Sequence, residues 1–142
     1  MRVRITRLDP TLPLPLYATG GAAGFDLAAA SDVEVPPREI RLVGTGLVMK
    51  VPEGYFLAIF ARSSTPIKRG LIVSNGVGVL DSDYCGPADE LKIQVWNITD
   101  APVLVCRGDR IAQGIVLPAP HVEFEEAATV AESRGGFGST GS

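Results

Sequence analysis

The chain has 142 residues, 46% of them apolar, which is enough for one domain with its own core and too few for two. A formal net charge of −3 excludes a general binder of polyanions, so any phosphate contact has to be made locally by a few side chains, and neither nucleic acid nor membrane is expected as a partner. Sixteen Gly and eleven Pro interrupt the chain too often for long amphipathic helices and suit short strands joined by turns.

In chain order, Arg2 to Arg7 alternates charged and apolar residues, and Asp32 to Val35 and Arg38 to Val43 continue the period of two expected of half-buried strands. No apolar stretch follows the charged start as a signal peptide requires, which predicts a soluble, cytoplasmic protein. Tyr55 to Ala61 is a nearly unbroken apolar run of strand length and predicts a central strand covered on both faces. Between Arg62 and Lys68 there is room for one or two helical turns, shortened or bent by Pro66. Leu91, Ile93 and Val95 alternate with Lys92, Gln94 and Trp96, and Val103 to Cys106 and Arg110 to Leu117 supply two more strands. Cys85 and Cys106 lack His partners or paired spacing and read as free packing residues without chemistry. After Phe124 the chain turns acidic and then rich in Gly and Ser. Residues 1–125 are therefore expected to form a single β domain, and residues 126–142 a flexible arm. The fold class predicted is all-β, a sandwich, jelly roll or barrel with at most one short helix.

Four segments carry more polar residues and glycine than a plain β scaffold needs. Asp26 in AAGFDL either solvates a strand start or has a metal-related role. Arg62, Ser63 and Ser64 arrive together at the end of the apolar run, where they can hold an anion or, for the serines, cap a helix. Asn75–Gly76 and Gly78 allow a tight hairpin whose backbone lies open to a ligand. Asp81 and Asp83, if extended, share one face with Tyr84 on the other, or else form only a hydrophilic turn. Gln113 is a polar side chain inside a β-like run and by default faces solvent. Arg134, Phe137, Ser139 and Thr140, set among glycines, read either as a linker or as a lid that orders on a triphosphate.

Taken in order, AGFDL, RSS, GVLDSDYCG, GDRIAQ and RGGFGST resemble the five motifs of the homotrimeric dUTP diphosphatases over nearly the whole chain. The resemblance implies a jelly-roll protomer and a homotrimer with shared active sites, each closed by the C-terminal arm of another chain. It implies hydrolysis of dUTP to dUMP and pyrophosphate by water attack on the α-phosphate, keeping uracil out of DNA and supplying dUMP for thymidylate synthesis. In that resemblance Asp81 is the general base. Tyr84 packs under the deoxyribose, and Asn75 with the backbone of Val79, Leu80 and Lys92 recognises uracil. Arg62, Ser63, Ser64 and Gln113 contact the phosphates, and Asp26 reaches a Mg²⁺ ion through water, the metal being held mainly by the triphosphate. Phe137 would stack on the base while Arg134, Ser139 and Thr140 clamp the outer phosphates.

Two departures from the family pattern stand out. Pro87 to Asp89 lengthen the loop into the Glu90-Leu91-Lys92 strand by three residues, and the spacing from Arg134 to Phe137 is two residues shorter than usual. The rival readings are a dCTP deaminase of the same fold, which would place a catalytic Glu near Asp81 and lack the glycine-rich arm, and a regulatory nucleotide binder with little turnover.

Overall fold

The computed structural model describes residues 1–129, 131–133 and 135–136. Among these the strands are β1 (Arg4–Arg7), β2 (Phe25–Ala28), β3 (Val33–Val35), β4 (Ile40–Gly44), β5 (Leu47–Lys50), β6 (Tyr55–Ala61), β7 (Leu71–Val73), β8 (Gly78–Leu80), β9 (Lys92–Asn97), β10 (Val103–Val105) and β11 (Arg110–Pro118), and one helix, α1 (Ser64–Arg69), follows β6. All pairings are antiparallel. A four-stranded sheet runs β2-β11-β6-β8, a three-stranded one β4-β9-β7, and β1-β5 and β10-β3 form two-stranded ladders. This is the all-β class that the spacing of short runs predicts, in the jelly-roll form that the family resemblance implies.

The sheets share one core. Leu27, Leu57, Leu71, Leu91, Ile93 and Ile111 are sealed from solvent in it. β9 shows why: Ile93, Val95 and Asn97 point inward while Lys92, Gln94 and Trp96 point out, as a period of two dictates. Asn97 is the polar exception in the interior and is fully partnered. Its amide nitrogen donates to Val35 O and Ala101 O, and its carbonyl accepts from the Thr99 N–H and hydroxyl. β6 is the central strand expected, with Leu57, Ala58 and Ile59 buried in succession because β11 and β8 flank it.

Helix α1 tolerates Pro66 because the residue sits in the first turn, where a backbone N–H has no helical partner to lose. It ends at Gly70, whose φ of 64° closes the last turn through an N–H donated to Pro66 O. Two strands were not expected from the sequence: β5 buries Leu47, Val48 and Met49 consecutively, and β7 is only three apolar residues long, so neither alternates. The hairpin expected at Asn75–Gly76 is corrected. The chain does turn there, with the Gly76 N–H on Val73 O, but its arms go to different sheets, β7 pairing with β9 and β8 with β6. β4 departs from its pattern in another way. Ile40 and Leu42, the apolar partners in its alternation, are 48% and 58% exposed, and Val43 turns inward.

Candidate active site

The described residues singled out in the sequence fall into two clusters: one lines a single cleft, and of the other Arg62 and Ser64 line a second while Asp26 faces a third. The first cleft, of about 300 Å³, takes in Asn75, Val79, Leu80, Asp81, Tyr84 and Lys92 together with Leu42, Ile59, Glu90 and Gln94. Its wall is β8, the last strand of the four-stranded sheet. β8 pairs on one side with β6, and its other edge has no strand partner among the described residues. Gly78 opens this strand in close contact with β6: a Cβ there would stand 3.0 Å from the Ile59 Cβ, so Ile59 would have to give way by a few tenths of an ångström. Alternation then buries Leu80 and leaves Val79 61% exposed at the cleft.

Past β8 the chain does not stay extended. The Tyr84 N–H donates to Asp81 O at 3.3 Å and the Cys85 N–H to Asp83 O at 3.0 Å, so 81–84 is a turn. Of the two alternatives the sequence left open, the turn is realised and the extended placement of Tyr84 opposite Asp81 is not: both line the same cleft, and Asp83 lies outside it. The Tyr84 hydroxyl donates to Glu90 O at the limit of 3.5 Å. The longer loop closes on itself, the Gly86 N–H donating to the Asp89 carboxylate at 2.7 Å and the Asp89 N–H to Gly86 O at 3.1 Å. Cys85 and Cys106 are both free thiols, and Cys106 is exposed rather than packed as expected.

Glu90 escaped the sequence reading. Its carboxylate accepts the Gly46 N–H at 2.9 Å and stands 3.9 Å from the Lys92 ammonium, so it ties the turn between β4 and β5 to the cleft wall. Next to it the Thr45 hydroxyl donates to Leu91 O at 2.7 Å, a second tie in the same place. A lone Glu after a loop carries no sequence signal for such a role.

The second cluster forms where β2, β11 and the end of β6 lie side by side, with Gln113 in register with Asp26 on one flank and Phe60 on the other. Asp26 is a counter-ion to two guanidiniums: Arg62 Nε reaches one carboxylate oxygen at 2.8 Å and Arg110 Nη1 the other at 3.0 Å. Arg62 also donates to Arg110 O at 3.1 Å. Gln113 is half-buried and donates to Ala61 O at 3.1 Å, so the default of a solvent-facing side chain is corrected. Ser63, the N-cap of α1, makes no side-chain capping bond, so the capping role that the sequence allowed is not realised there. Arg62, Ser64 and Arg110 line a second cleft, of about 380 Å³, with Lys68, Arg69, Gly108 and Asp109. Arg69 bonds Asp109 at 2.7 Å; the guanidinium holds that carboxyl below the usual carboxylate range, helped by the Cys106 N–H, and is itself raised by it. Arg110 lies in the GDRIAQ segment but was not singled out as a site residue, since its partner Asp26 is 84 positions away in sequence.

Magnesium was expected at Asp26. Among the described residues no three His, Cys, Asp or Glu side chains cluster as a metal cage. Asp26 is a single carboxylate, 16% exposed, with an arginine on each oxygen, so this chain offers no direct cage for magnesium there, and a hydrated ion would have to be carried mainly by phosphates. The expected roles of Arg134, Phe137, Ser139 and Thr140 lie outside the described residues.

The described residues thus form an all-β jelly roll with a strand edge walling one cleft and a cationic cleft apart from it. The family model described as dUTPase matches residues 11–141. A deoxyuridine 5'-triphosphate nucleotidohydrolase of Thermobifida fusca is 45% identical over 99% of this chain and 79% of its own length. Among solved structures, dUTPase from Streptococcus mutans superimposes with a TM-score of 0.78 at 35% identity, covering 86% of this chain and 98% of its own. A dUTPase from phage phi11 of S. aureus, described with a structural Mg(II) ion, shares the fold with a TM-score of 0.79 at 20% identity over 91% of this chain and 98% of its own. The chain belongs to the dUTPase family.

Proposed function

We propose that this protein hydrolyses dUTP to dUMP and pyrophosphate. The observation that carries the reading is the free edge of β8 beside Asn75, Asp81 and Tyr84 in one cleft. A strand edge offers alternating N–H and C=O groups, and these match the donor and acceptor edge of uracil. Cytosine presents the opposite sense of hydrogen bonding and leaves buried groups unpaired, a large penalty. Asn75 supplies side-chain hydrogen bonds to the base, and Tyr84 packs against the sugar where a 2′-hydroxyl would collide. Asp81 orients the attacking water and takes its proton, as an exposed carboxylate directly beside the base pocket is placed to do. Arg62, Ser63, Ser64 and Gln113 bind the phosphates. Asp26 would hold magnesium through water, and the ion would supply neutralisation of the charge growing on the phosphate oxygens.

The base cleft contains none of Arg62, Ser63, Ser64, Asp26 or Gln113. We read the complete site as shared, a second copy bringing its cationic cleft to the first copy's β8 edge, a head-to-tail arrangement that fits a homotrimer. Ile40, Leu42 and Trp96 support it too: they are exposed on the outer face of the β4-β9-β7 sheet, and Leu42 also lines the base cleft. The same reading makes residues 1–125 the catalytic β domain and 126–142 an arm that carries Arg134, Phe137, Ser139 and Thr140 over a neighbour's site. Among the described residues no helix is long and apolar enough to cross a membrane, and a cytoplasmic enzyme acting on the nucleotide pool fits the reading.

The test is pyrophosphate release from dUTP, dCTP, dTTP and UTP in parallel, with magnesium and with EDTA. Release from dUTP alone, lost in EDTA, is expected. Ammonia from dCTP would point to a deaminase, and binding of dUTP without release to a regulatory protein.

A further inference from the structure

We propose that Lys68 binds the outer phosphates of the nucleotide, in the cleft between α1 and the turn joining β10 to β11. The proposal rests on the dUTP reading and adds a ligand that the motifs do not mark. The cleft is set by Ser64, Lys68 and Arg69 on the helix side and by Gly108, Asp109 and Arg110 on the turn, with Arg62 between them. Its charges are unevenly used. Arg62 and Arg110 are both engaged by Asp26, and Arg69 is engaged by Asp109. Lys68 has neither ion pair nor side-chain hydrogen bond among the described residues, and the Ser64 hydroxyl has no partner among them either. Ser64 and Lys68 are four apart on α1, so they share one face of the helix, and both line the cleft.

The surplus of cations over carboxylates here is local, since the whole chain carries −3. A cleft with such a lining has nothing to offer a base or sugar and suits a compact polyanion. The lysine ammonium, a point charge on a flexible stem, can follow phosphate oxygens whose position changes between triphosphate and released pyrophosphate. Arg69 is held by Asp109 at 2.7 Å, whereas Lys68 is the cation of this cleft without such a partner among the described residues.

The β- and γ-phosphates leave together as pyrophosphate, and dUMP keeps neither, which gives the experiment its contrast. Lys68→Gln is expected to weaken inorganic pyrophosphate about tenfold, read as its inhibition constant in magnesium, and to raise KM for dUTP by a similar factor, the scale of one lost charged hydrogen bond. Inhibition by dUMP should stay as in the wild type, and Lys68→Arg should restore most of the pyrophosphate affinity. Unchanged pyrophosphate inhibition in Lys68→Gln overturns the proposal, and so does an equal weakening of dUMP, which would mean a general disturbance of the fold. Pyrophosphate binding by calorimetry gives the same comparison without turnover, so a wild-type protein that fails to hydrolyse dUTP would sink the function and leave this site to be judged separately.

Discussion

Asp81 and Tyr84 reach one cleft only because the backbone turns between them. The three-residue separation would place them on opposite sides of a strand, and the residue types Asp-Ser-Asp-Tyr allow either conformation. What decides is the Tyr84 N–H closing on Asp81 O, an i to i+3 bond that a list of residues does not reveal. Asp81 itself was legible as a candidate, whereas Glu90 was not, because its partners Gly46 and Lys92 define it only in three dimensions. If Asp81 takes the proton of the attacking water, Asp81→Asn keeps the shape of the cleft and removes the base. Turnover should then fall by about 10²- to 10⁴-fold, the usual worth of general base catalysis. dUTP affinity by calorimetry should change little. Turnover within a few-fold of wild type would remove Asp81 from that role.

Helix α1 and its stop show what a single element owes to its neighbours. Its presence was readable in the Arg62 to Lys68 segment that follows the apolar run, and so was Pro66 as a limit on its length. The reason Gly70 is required there was not readable. A Cβ at Gly70 would meet the Thr99 methyl group and would also sit at φ 64°, a region costly for residues other than glycine. The first cost depends on Thr99, the second does not. Gly70→Ala should therefore lower stability by more than the roughly 1–2 kcal/mol of a left-handed alanine. Adding Thr99→Ser removes the methyl group, keeps the hydroxyl that bonds Asn97, and should recover only the steric part. Denaturant unfolding of the two single variants and the double reads this directly; strict additivity would mean that the contact carries no cost. The central strand β6 was legible for the opposite reason, since a long apolar run needs no partner to declare itself, while β5 and β7 are too short and too uniformly apolar to show a period.

At the scale of the whole molecule, two carboxylates tie distant segments together and make stability depend on acid. Asp9 is held down from 3.8 to about 2 by the Thr11 hydroxyl and N–H and by Arg107, which links the N-terminal loop to the β10–β11 turn. Asp109 is lowered in the same direction by Arg69. A carboxyl that ionises more easily in the folded chain stabilises it fully above its unfolded value and loses that contribution as it is protonated. Melting temperature should accordingly hold above about pH 4 and fall as pH drops from there toward 2. Asp9→Asn should flatten part of that fall, and an unchanged slope would show that the tie carries no weight.

The separation of the two clefts is also a property of the whole, and it yields the sharpest test of how the site is completed. If the Asp81 cleft of one copy works with the Arg62 cluster of another, Asp81→Asn and Arg62→Ala are inactive for different reasons in different chains. Chains carrying only one of the two substitutions, expressed together and mixing at random, would build assemblies in which some sites draw Asp81 from one chain and Arg62 from its neighbour. Random pairing makes roughly a quarter of the sites wholly wild type, because each half is intact with a chance of one half in a symmetric head-to-tail assembly. Co-expressed material should then recover about that fraction of wild-type turnover, while the separately purified variants mixed without subunit exchange should recover none. If each chain instead completed its own site, every site would carry one lesion and co-expression would restore nothing.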